Sequence, residues 1–383
     1  MAAEKNNKTL NVPNLRFPEF DGEWERCKVK DFTKVVAGAT PSTSNKEYWG
    51  GDIRWMNSGE LNLKRVYEVQ GRITQLGYEK TSTKIIPLQS VLIGLAGQGK
   101  TRGTAAINYV ELCTNQSIAS ILPSDKYYPE FLYQNIESRY KELRDISSGD
   151  GGRGGLNLQM IYNLTIPYCS LSEQKKIGKF LCLLDQRIET QKKVIEKYES
   201  LIRGIYHSVF SKPSSILQLR EVVSVVKGKQ VNGEELLKEG EYYVMNGGTE
   251  PSGYLNEYNT PANTISISEG GNSCGYVQYN IKPFWSGGHC YSLLQKDDGI
   301  NYQYLYHFLK YMERDIMDLR IGSGLPNVQK KDLERFEIRV LPIEQQNRVA
   351  EILEEVSAKC DLEKRILQRW QYQKSFLLSN LFI

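Results

Sequence analysis

The chain has 383 residues, 40% hydrophobic and 25% charged, an ordinary globular balance and enough length for about two domains. Lysine and arginine outnumber aspartate and glutamate by 49 to 45 for a formal charge of +4, so binding a polyanion requires cations gathered on particular loops. Cysteines Cys27, Cys113, Cys169, Cys182, Cys274, Cys290 and Cys360 form no CxxC pair, and His207, His289 and His307 form no HxxxH pattern; this argues against a zinc site or disulfide framework and for reduced thiols in a cytoplasmic protein.

Residues 1–23 read as a polar tail whose first eight residues lack the apolar core of a signal peptide. A globular segment is expected over 24–160. It opens on Val29-Lys30-Asp31-Phe32, reaches Gly38, and carries a strand-like run, Ser90-Val91-Leu92-Ile93. The string from Gly94 to Thr101 fits the nucleotide-binding pattern GxxxxGK[ST]. That mechanism needs a helix to open at the loop and hold phosphate on its first amides. Arg102-Gly103-Thr104 follows instead, which puts glycine in the would-be first turn and weighs against a P-loop nucleotide-binding protein. Phe131-Leu132-Tyr133 then reads as part of an aromatic helix.

Over 161–211 a long helix is expected from about Ser172 to Phe210, roughly 58 Å at 1.5 Å per residue. Its apolar seam runs Ile177, Leu181, Leu184, Ile188, Gln191, Ile195, Tyr198, Ile202, Ile205 and Val209, alternating by four and three. The same pattern assigns Phe180 to Asp185, which imitates a nucleotide-site strand, to the helix.

A second globular segment is expected over 212–330. It opens on Leu219-Arg220-Glu221-Val222, reaches Gly228, and later shows Thr264-Ile265-Ser266-Ile267 and Tyr304-Leu305-Tyr306. The final segment, 331–383, carries a second long helix with the seam Val349, Leu353, Val356, Cys360, Glu363, Leu367, Trp370, Lys374, Leu377 and Leu381. This seam reads as the weaker one, because Glu363 and Lys374 stand at apolar positions. No stretch approaches 18 consecutive apolar residues, so no membrane span is expected.

The two helical segments are one pattern written twice. At a constant offset of 172, Ile166 meets Ile338, Gln174 meets Gln346, Leu181 meets Leu353 and Phe210 meets Phe382, with conservative matches such as Tyr198 with Trp370 between them. The globular segments keep similar openings and diverge elsewhere, as suits two modules that recognise two different things.

This arrangement resembles the DNA-specificity subunits of type I restriction–modification systems. The resemblance is carried by Val12-Pro13-Asn14-Leu15-Arg16-Phe17-Pro18 in the tail and by the helix-opening strings Leu171-Ser172-Glu173-Gln174-Lys175-Lys176-Ile177 and Ile343-Glu344-Gln345-Gln346-Asn347-Arg348-Val349. It covers about residues 12–383. It implies an α+β fold: two mixed α/β target recognition domains, joined by two long antiparallel helices in a pseudo-two-fold repeat. It implies further that each domain reads one half of a split double-stranded DNA site. The helices would set the spacing and dock two methyltransferase subunits, and a restriction–translocase subunit would join that complex. The chain itself would be non-catalytic, S-adenosylmethionine, ATP and Mg being used by the partner subunits.

Base reading needs donors and acceptors on loops, with cations for phosphates. In the first module the glycine-flanked loop carrying Gln98, Lys100, Thr101 and Arg102 is the leading candidate, followed by Asn57, Ser58, Asn115, Gln116 and Arg153. In the second module the candidates are Asn272, Ser273 and Tyr276, with Lys227, Lys229, Asn246 and His289. An enzyme is disfavoured: no Pro-Pro pair exists to supply the Asn/Asp-Pro-Pro-Tyr/Phe motif of adenine methyltransferases, and no clustered nuclease carboxylates stand out. A coiled-coil scaffold is the alternative.

Overall fold

The computed structural model describes residues 11–97, 99, 101–147, 154–212, 214–322 and 326–383. It divides into two compact units, Met1–Gln191 with Ile366–Ile383, and Lys192–Arg365. The division cuts across chain order. Each unit holds one globular segment together with a stretch of both long helices.

In the first unit the chain forms β1 (Glu25–Lys28), β2 (Val35–Ala37), β3 (Trp49–Met56), β4 (Arg65–Val66), β5 (Gly71–Ile73), α1 (Gln75–Glu79), β6 (Val91–Gly94), β7 (Ala105–Asn108), β8 (Cys113–Thr114) and β9 (Ile118–Ile121). Helices α2 (Pro129–Ser138), α3 (Tyr140–Ile146) and α4 (Leu158–Tyr162), strand β10 (Thr165–Tyr168) and the long α5 (Leu171–Phe210) follow. The main sheet has the order β2-β9-β6-β7-β4, antiparallel except between β4 and β7. Side chains alternate across it. Val91, Ile93, Ile107 and Ile121 face α2 through Phe131, Leu132 and Ile136. Leu92, Ala106 and Ile118 face a second core with Met56, Leu61, Ile86 and Leu112. Covered on both faces, these strands read as continuous apolar runs.

The second unit repeats this plan. Its elements are β11 (Ser215–Gln218), α6 (Leu219–Val222), β12 (Val223–Lys227), β13 (Tyr242–Met245), β14 (Gly253–Leu255), β15 (Thr264–Ser268), β16 (Val277–Asn280), β17 (Trp285–Ser286), β18 (Cys290–Gln295), α7 (Tyr302–Tyr311), α8 (Glu313–Asp318), α9 (Lys330–Glu334), β19 (Glu337–Val340) and α10 (Ile343–Asn380). The sheet β12-β18-β15-β16 reproduces β2-β9-β6-β7, and β14-β13-β17 reproduces β5-β3-β8, including its one parallel pairing. One face of the larger sheet is apolar, with Val225, Ile265, Ile267 and Leu293 against Leu305, Phe308 and Leu309. The other buries Thr264, Ser266, Ser268 and Ser292, and Asn280 Nδ2 donates to Thr264 O and Ser266 Oγ at 2.9 Å each.

The duplicated glutamine of the helix openings has one role in both units. Gln174 Oε1 accepts from Tyr128 N (2.9 Å), and Nε2 donates to Lys126 O (3.1 Å) and Cys169 O (2.9 Å). Gln346 accepts from Asn301 N (2.8 Å) and donates to Leu341 O (2.8 Å) and Gly299 O (3.4 Å). Both are fully buried and pin the chain ahead of α2 and α7 to the start of a long helix.

On α5, Ile177, Leu181, Leu184, Ile188, Gln191 and Ile195 are buried, and Tyr198, Ile202, Ile205 and Val209 are half-buried. On α10, Leu353 and Cys360 are buried, Val349, Val356, Glu363, Leu367, Trp370, Lys374 and Leu377 are half-buried, and Leu381, the last seam residue, is buried just past the helix end. Within the first unit Ile177 and Leu181 share a core with Leu377 and Leu381, while Asp185 lies 2.6 Å from Lys374, so the two helices run antiparallel. Within the second unit Ile202, Ile205 and Val209 share a core with Val349 and Leu353, and Glu199 meets Lys364 at 2.9 Å, with the same sense.

Lys374, which reads from sequence as a weak point of the seam, is instead the centre of a buried charge network. Its ammonium sits 2.6 Å from Asp185 and 2.9 Å from Glu137. Asp185 also meets Arg65 at 3.0 Å, and Arg65 forks onto Glu130 at 2.9 and 2.7 Å. Burial alone would lower the Lys374 ammonium, but the carboxylates of Glu137 and Asp185 outweigh it and the net direction is up. The second unit makes the corresponding junction from rings. Phe210 packs on Tyr304, Phe308 and Tyr311 at 5.4–5.5 Å between centroids, and the Tyr206 hydroxyl meets His307 Nδ1 at 2.9 Å.

Candidate nucleic-acid interface

In the first unit the loops leaving the C-terminal ends of β2, β3, β6 and β8 are stitched into one edge, mainly through backbone groups. Leu95 N donates to Ser117 O (2.8 Å), Leu156 N to Leu95 O (2.9 Å) and Asn115 N to Met56 O (3.0 Å). The Trp55 indole donates to Ala39 O (3.0 Å), Thr40 Oγ1 to Gln116 Oε1 (2.6 Å) and Arg144 Nη1 to Gly99 O (2.6 Å).

Six first-module candidates fall on this edge. Asn57 and Gln116 are exposed; Ser58, Thr101, Arg102 and Asn115 are half-buried. Asn57 is partly committed to its own turn, its Oδ1 accepting from Gly59 N (2.8 Å) and its Nδ2 donating to Glu60 Oε2 (2.9 Å). Arg102 donates to Gly154 O and so closes the base of the loop. Gln98, Lys100 and Arg153 lie outside the described residues. The loop that carries the GxxxxGK[ST] string joins β6 to the antiparallel β7, with Gly103 N bonded to Gly94 O at 2.9 Å. It is a strand-to-strand connection, so no helix opens from the loop as a nucleotide site of that type requires.

The second unit builds the same edge. Glu269 N donates to His289 O (2.9 Å), Val328 N to Glu269 O (2.8 Å), Gly287 N to Met245 O (2.8 Å) and Gly228 N to Cys290 O (2.8 Å). Asn246 Oδ1 accepts from His289 N (3.1 Å), and the Trp285 indole donates to Lys229 O (3.0 Å). Five loops therefore bring together Lys227, Lys229, Asn246, Asn272, Ser273 and His289. Lys227, Lys229, Asn272 and His289 are exposed, and Asn246 and Ser273 are half-buried. Tyr276 stands apart: its ring lies 4.1 Å beneath the Lys310 ammonium of α7.

Sequence reasoning passed over three participants. Arg144 and Thr40 act through long-range contacts that have no local signature. The loop between α8 and α9 is the third, joining the edge through Gly271 N to Pro326 O (3.1 Å) and carrying the exposed Arg320. Among the described residues no group of histidine, cysteine and carboxylate side chains could hold a metal ion, and no helix is long and apolar enough to cross a membrane.

Two copies of one mixed α/β module, each gathering polar and cationic loops at the same sheet edge beside paired long helices, define a protein built to recognise two things. The chain belongs to the family of the type I restriction modification DNA specificity domain, which matches it twice, over residues 21–199 and 212–369. It is 26% identical over 366 residues to the type I restriction enzyme MjaIX specificity subunit of Methanocaldococcus jannaschii, spanning 84% of this chain and 83% of that protein. It is 25% identical over 217 residues to the EcoR124I/EcoR124II specificity subunit of Escherichia coli, 53% of this chain and 52% of that one. The fold is shared with the crystal structure of a type I restriction–modification S subunit from M. genitalium, at a TM-score of 0.75 and 21% identity, covering 97% of this chain and 99% of the other.

Proposed function

We propose that each loop edge reads one half of a bipartite double-stranded DNA target, and that the chain directs adenine methylation and restriction carried out by other subunits. The observation that carries this reading is the duplication of the edge. The same backbone bonds hold different residues in the two units, Leu95 and Asn115 in one, Glu269 and Gly287 in the other. A fixed scaffold with exchanged reading groups suits two unlike half-sites. The chain supplies specificity and not catalysis.

In this reading residues 24–160 and 212–330 are the target recognition domains, residues 161–211 and 331–383 carry the spacer helices, and residues 1–23 are a tail. The outward faces of α5 and α10, where Phe180, Leu183, Leu362, Tyr372 and Phe376 are exposed, take two methyltransferase subunits, which restriction–translocase subunits join in the cytoplasm. S-adenosylmethionine, ATP and Mg belong to those partners. The test is co-expression with the cognate methyltransferase subunit in a methylation-free host, followed by single-molecule methylome sequencing. A split adenine-methylated motif with a fixed unread gap is expected. An unmethylated genome from a soluble, assembled complex overturns the reading and favours a scaffold.

A further inference from the structure

Glu269 occupies the place that Leu95 holds in the first unit: Glu269 N bonds His289 O and its carbonyl accepts from Val328 N, as Leu95 N bonds Ser117 O and its carbonyl accepts from Leu156 N. The second module has put a carboxylate where the first has an apolar side chain. Burying a carboxylate is costly unless its oxygens are matched with donors, and this one is only 8% exposed. Its matching is one-sided. Lys227 Nζ (2.7 Å) and the Tyr291 hydroxyl (3.0 Å) both donate to Oε1. Oε2 is buried and has no hydrogen-bond partner among the described residues.

Beside Oε2 stands His289. His289 Nδ1 is 3.8 Å away, beyond hydrogen-bond reach, and its side chain is 62% exposed. Around it the chain runs through glycines. A Cβ on Gly271 would meet nothing within 4 Å, and the backbone of Gly247 packs closely on His289. An acceptor with no hydrogen-bond donor among the described residues thus lies beside an exposed imidazole, at the edge that carries Lys227, Lys229, Asn246 and Asn272. Phosphate oxygens only accept hydrogen bonds and repel a carboxylate. The donors that duplex DNA offers in its major groove are the exocyclic amino groups, N4 of cytosine and N6 of adenine.

Resting on the DNA-reading function above, we infer that Glu269 is a specificity-determining residue of the second half-site: with His289 turned aside, Oε2 accepts a hydrogen bond from a cytosine or adenine amino group. Lys227 stays on Oε1 and offsets the carboxylate's repulsion of the DNA backbone. The pair selects against the acceptor edges of guanine O6 and thymine O4 at one position. In the first module Leu95 makes no such selection.

The experiment takes the motif from the methylome and measures binding of the full chain, assembled with its methyltransferase, to duplexes in which each amino group of the second half-site is deleted in turn. Purine replaces adenine, and a pyrimidinone lacking the amino group replaces cytosine. With the unaltered protein one deletion is expected to weaken binding about fivefold to a hundredfold. Glu269→Gln removes the sensitivity at that position while the first half-site is read unchanged. If Glu269→Gln does not assemble, Glu269→Asp, which withdraws Oε2 by one methylene and keeps the charge, is held to the same two outcomes. Equal losses in variant and unaltered protein at every position, or no sensitive position at all, overturn the inference and leave Glu269 a structural partner of Lys227. Absence of any split motif for the unaltered protein is a separate result and removes the functional reading itself.

Discussion

Lys374→Met tests whether the charge network of the first unit holds the end of α10 in place. The substitution keeps the length of the side chain and removes the ammonium between Glu137 and Asp185. Taking one partner from a buried ion pair costs about 3–5 kcal/mol, because the remaining charge stays buried and unpaired. The loss here falls toward the lower end. Arg65 still reaches Asp185 at 3.0 Å and Lys64 still reaches Glu137 at 3.4 Å. The side chains of Lys374, Glu137 and Asp185 are 14%, 17% and 13% exposed, so water screens the residue weakly. A loss of about 3 kcal/mol corresponds to roughly 6–12 °C in the melting of a unit of this size. Because the two units need not melt together, the assay is amide hydrogen exchange during urea titration, read separately on α2, the end of α10 and α7. Protection is expected to fall on α2 and on residues 366–380 and to stay unchanged on α7. The triple change Lys374→Met, Glu137→Gln, Asp185→Asn leaves no buried charge without its partner, since Arg65 keeps Glu130 and Lys64 is 43% exposed, and recovers most of the loss. A Lys374→Met protein within about 0.5 kcal/mol of the original would refute the reasoning and show that the network is screened like a surface pair. The stability that Lys374 adds has the sign of a raised amine: it is complete below the ordinary lysine range and disappears only in strong alkali.

Four further outcomes follow from the same geometry. Burial lowers His307 to about 4 from an ordinary 6.5, so the unfolded chain takes the proton first. The second unit therefore loses stability as pH falls from about 6.5 toward 4, by at most about 3 kcal/mol; His307→Gln, which installs the residue found at Gln134, flattens that part of a urea-midpoint profile, and an unchanged slope excludes the histidine as its source. Gln174→Leu and Gln346→Leu each leave three backbone partners unmatched, at a cost of roughly 2–5 kcal/mol; a chemical-denaturation shift below about 0.5 kcal/mol would show that water replaces the amide. Exchanging residues 212–330 for a relative's segment changes one half-site of the methylated motif and spares the other, and a change in both breaks the modular assignment. Lys100→Ala weakens recognition of one half-site in binding assays, with no saturable nucleotide binding by the chain before or after the change.

The helical half of this molecule is legible in its sequence because its constraints are local and periodic. A seam residue every three or four positions, and a glutamine repeated at the same distance from it, survive duplication since both copies solve the same packing problem. The loop after Gly94 could be read as unlike a nucleotide site because Gly103 stands in the first turn of the helix such a site needs; that it joins two strands came from the structure. The network around Lys374 could not be read. Arg65, Glu130, Asp185 and Lys374 come from four elements spread over most of the chain, and a lysine in a seam looks the same whether it is a defect or an ion-pair partner. The common plan of the globular segments showed in their openings and a few matching runs, and its detail was hidden for a different reason. What the copies share is a set of backbone bonds, indifferent to side-chain identity, and strands such as β4, β8 and β17 are two residues long.

That indifference has an evolutionary consequence. Glu269 and Leu95 stand at one node of one scaffold, and the amides and carbonyls that fix the node do not register which side chain it bears. Substitutions at such nodes change what is recognised while leaving the frame that presents them intact, so a new target preference can arise by point mutation without a compensating change in the core. A lineage carrying this architecture can explore many addresses from a single fold.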